Sequence, residues 1–224
     1  SVQGGYTRLF LDITPYLCFG GKNVILVKAM NSTQPNSRWY TGSGIYRPVY
    51  LYQGGKIRID VDEPRISTPE ISQEIASVKV DTKIRYDEKT RKTIILKTEI
   101  IDPDGNVAAG ESSRMTLFGQ SETMQTQRIY VREPALWSVD NPKLYQCKVT
   151  VYDGETLLDT AQSTFGIRRL ELDPVNGLRL NGEKILLRGG CIHHDNGLLG
   201  AATFGRAEER RIQLLKEAGF NSVR

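Results

Sequence analysis

The densest grouping of reactive side chains is Arg188-Gly189-Gly190-Cys191-Ile192-His193-His194-Asp195-Asn196-Gly197, which holds both histidines of the chain. Thiolate, imidazole and carboxylate are all zinc ligands, and the same groups can hydrogen-bond a polar substrate. In extended backbone Cys191, His193 and Asp195 point to one side and His194 to the other, so at most three of the four can share a ligand. No CxxC or HxxxH spacing accompanies them, which speaks against a chelate. Polar residues satisfied within a turn, and a ligand pocket in which an imidazole meets a polar substrate, are the remaining readings.

Other candidates carry less. Gly42-Ser43-Gly44-Ile45-Tyr46-Arg47 approximates G-x-G-x-x-G. Arg47 replaces the last glycine, however, and a strand-like run follows where a dinucleotide site needs a helix. Trp39 and Tyr40 offer ring faces to a sugar, or anchors to their own loop. Asn31-Ser32-Thr33 fits the glycosylation sequon by pattern alone. Carboxylates are plentiful, but only Asp195 falls at a strand end, so no nucleophile and base pair emerges.

The elements around the cluster explain its place. A strand-like run from Lys184 reaches Cys191, and a helix is predicted over 206–218, where Ile212, Leu215 and Ala218 recur at three-residue steps. Thr203 is a candidate cap, and Gly219 suits the C′ position. Phe220 to Arg224 reads as the next strand. Strand, helix, strand is a βαβ unit, which requires a parallel sheet, and such sheets present ligand groups at the C-terminal ends of their strands. Ahead of it, Asn181-Gly182 suits a hairpin turn because both residues tolerate positive φ.

Residues 55–165 read as strands at Lys56–Asp62, Ala76–Tyr86, Thr93–Ile101, Ser113–Phe118, Gln127–Val131, Tyr145–Tyr152 and Leu157–Phe165, joined by turns such as Asp102-Pro103-Asp104-Gly105-Asn106. Their number and spacing suit an immunoglobulin-like sandwich of ~7 strands in ~100 residues. The Cys…Trp…Cys spacing of antibody domains is absent, and Trp137 falls in a loop. Upstream of Gly54-Gly55, Tyr6–Leu11, Val24–Ala29 and Ile45–Tyr52 are strand-like. Three strands cannot form an independent sandwich, so residues 1–54 are expected to be the closing part of a β-domain.

Composition bounds the partners. The chain has 224 residues, 30 Lys+Arg against 26 Asp+Glu, and a hydrophobic fraction of 39%. That is enough apolar material for a core. The basic residues are interleaved with acids, as in Glu208-Glu209-Arg210-Arg211, which argues against a nucleic-acid stripe. No window approaches the ~20 apolar residues of a membrane helix, and no membrane partner is expected. Cys18, Cys147 and Cys191 are odd in number and far apart, so they describe no disulfide framework. No cofactor is implied.

Taken in order, the motifs resemble glycoside hydrolase family 2, the β-galactosidase and β-glucuronidase family. Trp39-Tyr40-Thr41-Gly42-Ser43-Gly44-Ile45-Tyr46-Arg47-Pro48-Val49 resembles the end of its jelly-roll sugar-binding domain. Leu136-Trp137-Ser138 with Asn141-Pro142-Lys143-Leu144-Tyr145 resembles part of its sandwich domain. Phe165-Gly166-Ile167-Arg168, Leu180-Asn181-Gly182-Glu183-Lys184, Leu187-Arg188-Gly189, His193 and Ala218-Gly219-Phe220-Asn221-Ser222-Val223-Arg224 resemble the beginning of its catalytic barrel. His193-His194-Asp195 followed by Gly200-Ala201-Ala202 is most similar to bacterial β-galactosidases.

The resemblance implies a mainly β chain: 1–54 the end of the jelly roll, 55–165 the immunoglobulin-like sandwich, and 166–224 the first βαβ part of a (β/α)8 TIM barrel. It implies a retaining hydrolase in which one Glu protonates the leaving oxygen and another attacks the anomeric carbon. Both are expected beyond Arg224, since 166–224 falls far short of the ~250 residues of a whole barrel. An internal fragment, inactive alone, is therefore expected, with the apolar face of its helix lacking the barrel it packs on.

By the same resemblance His193 matches a histidine lining the sugar subsite, and Arg224 an arginine at the end of the second barrel strand. His194, Asp195 and Trp39 are further sugar-contact candidates. The loop Asn36-Ser37-Arg38-Trp39 lies where some members reach into the catalytic site, although Ser37 replaces an acidic residue there. The expected partner is a β-galactoside or related carbohydrate, with a homo-oligomer open and a periplasmic or extracellular bacterial setting ahead of a cytoplasmic one. A non-catalytic β-sandwich module for carbohydrate or protein binding explains the strands, but not His193-His194-Asp195 beyond them.

Overall fold

The computed structural model describes residues 7–32, 43–193 and 196–224. The chain divides into two compact units: Ser1–Pro48 with Ile192–Gln213, and Val49–Cys191 with Leu214–Arg224.

The second unit is built on two antiparallel sheets stacked on one core. In the first sheet β3 (Ile75–Tyr86) is central. One of its edges is filled along its whole length by β6 (Ser121–Arg132), from Ile75 opposite Arg132 to Tyr86 opposite Ser121. The other edge is shared in succession by β1 (Ile57–Ile59) and β2 (Arg65–Ile71). The second sheet has the order β5-β4-β7-β8, with β4 at Lys92–Ile101, β5 at Val107–Leu117, β7 at Tyr145–Asp153 and β8 at Thr156–Phe165.

Strict alternation along β4 turns Ile94, Leu96, Thr98 and Ile100 inward, because successive side chains of a strand face opposite ways. Ile94, Leu96 and Ile100 join Val78, Val80 and Ile84 of β3, Ile129 and Val131 of β6, and Val149 and Val151 of β7 in one cluster. Gln127, also inward on β6, is buried but satisfied. Its Oε1 accepts from Thr98 Oγ1 at 2.5 Å, and its Nε2 donates to Ser113 Oγ at 3.0 Å, tying the two sheets together. Burial pushes the Cys147 thiol up to about 12, which leaves it a packing residue rather than a nucleophile.

β3, β4, β7 and β8 lie within a residue or two of the strands expected from the sequence, and β5 and β6 extend beyond theirs. β2 has no expected counterpart. Pro64 precedes that strand and Pro69 lies inside it, at the register shift between Ser67 and Glu70. Proline cannot donate to a ladder and is tolerated at edges and bulges, the position β2 occupies.

Between β1 and β2, Asp60 accepts hydrogen bonds from Arg85 Nε at 2.6 Å and from the Val61 N–H at 2.9 Å, with Lys83 Nζ at 3.3 Å. Burial alone would raise its pKa, but Arg85, the Val61 N–H and Lys83 outweigh burial and hold the carboxyl below the ordinary aspartate value. A folded-state pKa below the unfolded one gives stability that is present above the unfolded value, about 3.9, and lost as pH falls through the folded one. The stability difference between wild type and Asp60→Asn, read from urea midpoints, should therefore be full at pH 6–7 and shrink below about pH 4. A difference independent of pH would contradict this assignment.

After β8 come β9 (Leu170–Asp173), β10 (Gly177–Leu180) and β11 (Glu183–Lys184), an antiparallel set. Asn181 and Gly182 make the predicted two-residue turn, with φ of 54° and 89°. Then β12 (Gly189–Gly190) and β13 (Ser222–Val223) pair in parallel, with α1 (Gly205–Glu217) between them in sequence. The predicted strand from Lys184 to Cys191 is thus two short pairings. The helix ends as expected: Gly219 has φ 86°, its N–H bonds Lys216 O, and the Phe220 N–H bonds Leu215 O, the two bonds of a Schellman motif. Thr203 is not the cap. It lies two residues before α1, and its side-chain oxygen is buried without a partner among the described residues. No residue of α1 is buried, and Ile212 and Leu214 are exposed.

Among the described residues the strands predicted upstream of Gly54 do not form. Residues 7–32 and 43–48 contain one short 3-10 turn, Thr14–Tyr16, and no ladder among the described residues. Leu9, Phe10, Leu11 and Val24–Val27 are exposed. Their alternation suits a strand, but a strand exists only when a neighbour takes its backbone hydrogen bonds, and the described residues supply none.

Candidate functional site

His193 lies in the first unit, exposed, on the segment leading into α1. That segment is shaped by glycines: Gly197 and Gly200 have φ of 58° and 59°, a region other residues rarely adopt. A 3-10 turn, Gly197–Leu199, reverses the chain, and the Asn196 N–H closes it on Gly200 O at 2.9 Å. The Asn196 side-chain amide donates to Ala202 O at 2.9 Å and to Glu208 Oε1 at 3.1 Å. From α1, Arg211 Nη1 donates to the His193 carbonyl at 3.4 Å. The Thr203 N–H reaches Tyr46 O at 3.1 Å, so the Gly44-Ile45-Tyr46-Arg47 motif adjoins the segment that follows His193.

Arg224 lies in the second unit, just after β13. Its N–H bonds Gly190 O at 3.0 Å, so Arg224 and Cys191 leave neighbouring C-terminal strand ends. Asn221 fastens this pair, because its side chain accepts from the Arg188 N–H at 2.8 Å and donates to Leu186 O at 2.9 Å. Gly189 permits the close approach: a Cβ there would collide with the Ser222 side chain and stand 2.7 Å from its carbonyl oxygen.

Trp39, the loop 36–39, His194 and Asp195 lie outside the described residues. Among the described residues no three His, Cys, Asp or Glu side chains converge on a metal position.

The second unit also carries an open cleft of about 450 Å³, lined by Ile66, Thr68, Trp137, Leu144, Phe165 and Arg168 among others. Several residues of the motifs that carry the family resemblance hold this junction. The Arg168 guanidinium lies 4.5 Å from the centroid of the Trp137 ring, a cation–π stack. The Trp137 N–H bonds Ile167 O at 2.9 Å, and Asn181 Nδ2 bonds Trp137 O at 2.9 Å. Thr68 Oγ1 donates to Arg168 O at 2.7 Å. Ile167 is fully buried in the core. Sequence reading gave Asn181 a turn role only; its second role, to a carbonyl 44 residues away, has no local signature.

A Cβ at Gly166 would lie 2.8–2.9 Å from Cδ1, Cβ and Cγ of Trp137. Gly166→Ala should displace the indole and destabilise the second unit by about 1–3 kcal/mol, the usual cost of overpacking. Tryptophan fluorescence and a urea titration would register both effects. An unchanged spectrum and midpoint would show that the junction yields freely.

Comparison with known proteins places these features. Residues 59–168 match the sequence model of glycosyl hydrolases family 2. Over 220 residues the chain is 36% identical to the β-galactosidase BoGH2A of Bacteroides ovatus, covering 98% of this chain and 26% of that protein. It is 28% identical to a β-glucuronidase of Formosa agariphila, covering 99% of this chain and 25% of that protein. A crystal structure of a family 2 member from Bacteroides cellulosilyticus superposes with a TM-score of 0.83 at 39% identity, over 87% of this chain and 27% of that one. The chain thus spans about a quarter of the length of these relatives. By the family match over the two-sheet unit and the likeness along nearly all its length, the chain belongs to glycosyl hydrolase family 2.

Proposed function

We propose that this chain is part of a retaining β-glycosidase that hydrolyses terminal β-galactosidic bonds. In this reading His193 and Arg224 contact the sugar, with His194, Asp195 and Trp39 as further contacts, and the proton donor and nucleophile are glutamates supplied from outside residues 1–224. Residues 1–54 are the end of a jelly-roll domain, 55–165 an immunoglobulin-like sandwich, and 166–224 the start of a TIM barrel.

The observation that carries the reading is the parallel β12/β13 pair with α1 between its strands, whose C-terminal ends lead directly to Arg224 and toward His193. Loops leaving such ends are where barrels hold their chemistry. The sandwich assignment is supported by Tyr145 at the start of β7, two residues before Cys147, whose hydroxyl accepts from the Ala135 N–H at 2.8 Å. That is the arrangement of a tyrosine corner. Galactose is favoured over glucuronic acid by the higher identity to BoGH2A than to the Formosa agariphila β-glucuronidase.

The test is hydrolysis of p-nitrophenyl β-D-galactoside against the β-D-glucuronide by the complete enzyme. The reading expects the galactoside to be the better substrate by kcat/KM and the isolated 224 residues to be inert. Preference for the glucuronide would overturn the substrate assignment, and turnover by the isolated chain would overturn the placement of the glutamates.

A further inference from the structure

His193, a candidate sugar contact, and the described residues that follow it, 196–202, have only one 3-10 turn and two glycines in left-handed backbone. Such a segment has little intrinsic order. A side chain that contacts substrate must nonetheless be held within about 0.5 Å of its working position by the groups behind it.

One ion pair on α1 supplies that hold. Glu208 and Arg211 are three residues apart and so share a helix face; Arg211 Nη1 stands 3.5 Å from Glu208 Oε2. Each partner also reaches the segment. Glu208 offers its other oxygen, Oε1, to the Asn196 amide at 3.1 Å, and that same amide bonds Ala202 O at 2.9 Å. Arg211 donates to the His193 carbonyl at 3.4 Å. Both side chains are partly buried, 30% and 24% exposed, where such bonds are stronger than at a fully wet surface. His193 and Asn196 are therefore each bonded to one member of this pair on α1, and Ala202 is joined to it through the Asn196 amide.

We propose that Glu208 and Arg211 are positioning residues for His193, setting the backbone from which its imidazole meets the sugar. This rests on the reading of His193 as a sugar contact. Neither residue touches substrate in this account; both act through the segment.

The experiment compares Arg211→Met, Glu208→Gln, Arg211→Lys and His193→Ala in the complete enzyme, with steady-state kinetics on an aryl β-galactoside and amide hydrogen exchange over 196–202. Arg211→Met should raise KM about tenfold, as when one hydrogen bond to a charged group no longer orders a contact residue, and change kcat less than about threefold. Exchange over 196–202 should quicken while β3 and β7 stay protected. Arg211→Lys, which keeps a charged donor, should recover most of the KM. Unchanged KM in both Arg211→Met and Glu208→Gln, with or without faster exchange, overturns the proposal while His193→Ala still raises KM. An unchanged KM in His193→Ala instead overturns the sugar-contact reading on which the proposal stands.

Discussion

Leu96→Ala should lower the unfolding free energy of the two-sheet unit by about 2–5 kcal/mol, the span found for truncating fully buried leucines. Leu96 has no exposed surface and sits in the inward row of β4 between Ile94 and Thr98. Val78, Val80, Ile129 and Val149 of the same cluster come from both sheets, so the cavity left by the missing atoms is not closed by moving one strand. The urea midpoint should fall with little change in slope, since the surface exposed on unfolding is nearly the same. Leu157→Ala makes the control: that side chain is 56% exposed on the edge strand β8, and its truncation should stay within about 0.5 kcal/mol. A Leu96→Ala loss under about 1 kcal/mol would mean that the two sheets do not share one close-packed core.

His193→Ala in the complete enzyme should lower kcat/KM for a β-galactoside by about 10- to 100-fold, the effect of removing one directional contact to a sugar hydroxyl. The second unit should keep its stability, because His193 belongs to the other unit and is exposed. That separation of function from stability is the diagnostic feature. If activity and the urea midpoint fell together, His193 would be a folding residue, and the subsite assignment would lose its basis.

How much of this was legible in the sequence depends on what kind of signal each feature leaves. Buried strands such as β3 and β4 leave a period-two pattern of apolar residues, and they were found almost to the residue. The helix end at Gly219 and the turn at Asn181-Gly182 are local backbone demands met by particular residue types, and both read correctly. β2 was hidden because Pro69 within it and Pro64 just before it are tolerated only at an edge and a bulge, which are properties of the sheet rather than of the segment. The strand-like runs of the first unit show the reverse error. Alternation records which side of a sheet a residue suits, but the ladder needs a partner strand.

The family resemblance nominates His193 and Arg224 as sugar contacts, but the sequence says nothing of what holds each of them within its own unit. Asn221, Asn196, Glu208 and Arg211 reach partners 12 to 35 residues away, and no spacing rule announces such links. The reverse holds for Trp137, Gly166 and Arg168. They are conspicuous in the sequence, yet the structure uses them to clasp the segment after β8 to the two sheets. A distinctive motif can mark a junction as readily as a reaction centre.

The proposed membership of these residues in a retaining β-galactosidase has a direct stereochemical consequence. Time-resolved proton NMR of the complete enzyme acting on an aryl β-D-galactoside tests it most directly, by reporting which anomer is released before mutarotation. The account predicts β-galactose first, because a double displacement through a glycosyl-enzyme restores the starting configuration. Release of α-galactose first would contradict the retaining mechanism, and no release of galactose would contradict the assignment as a whole.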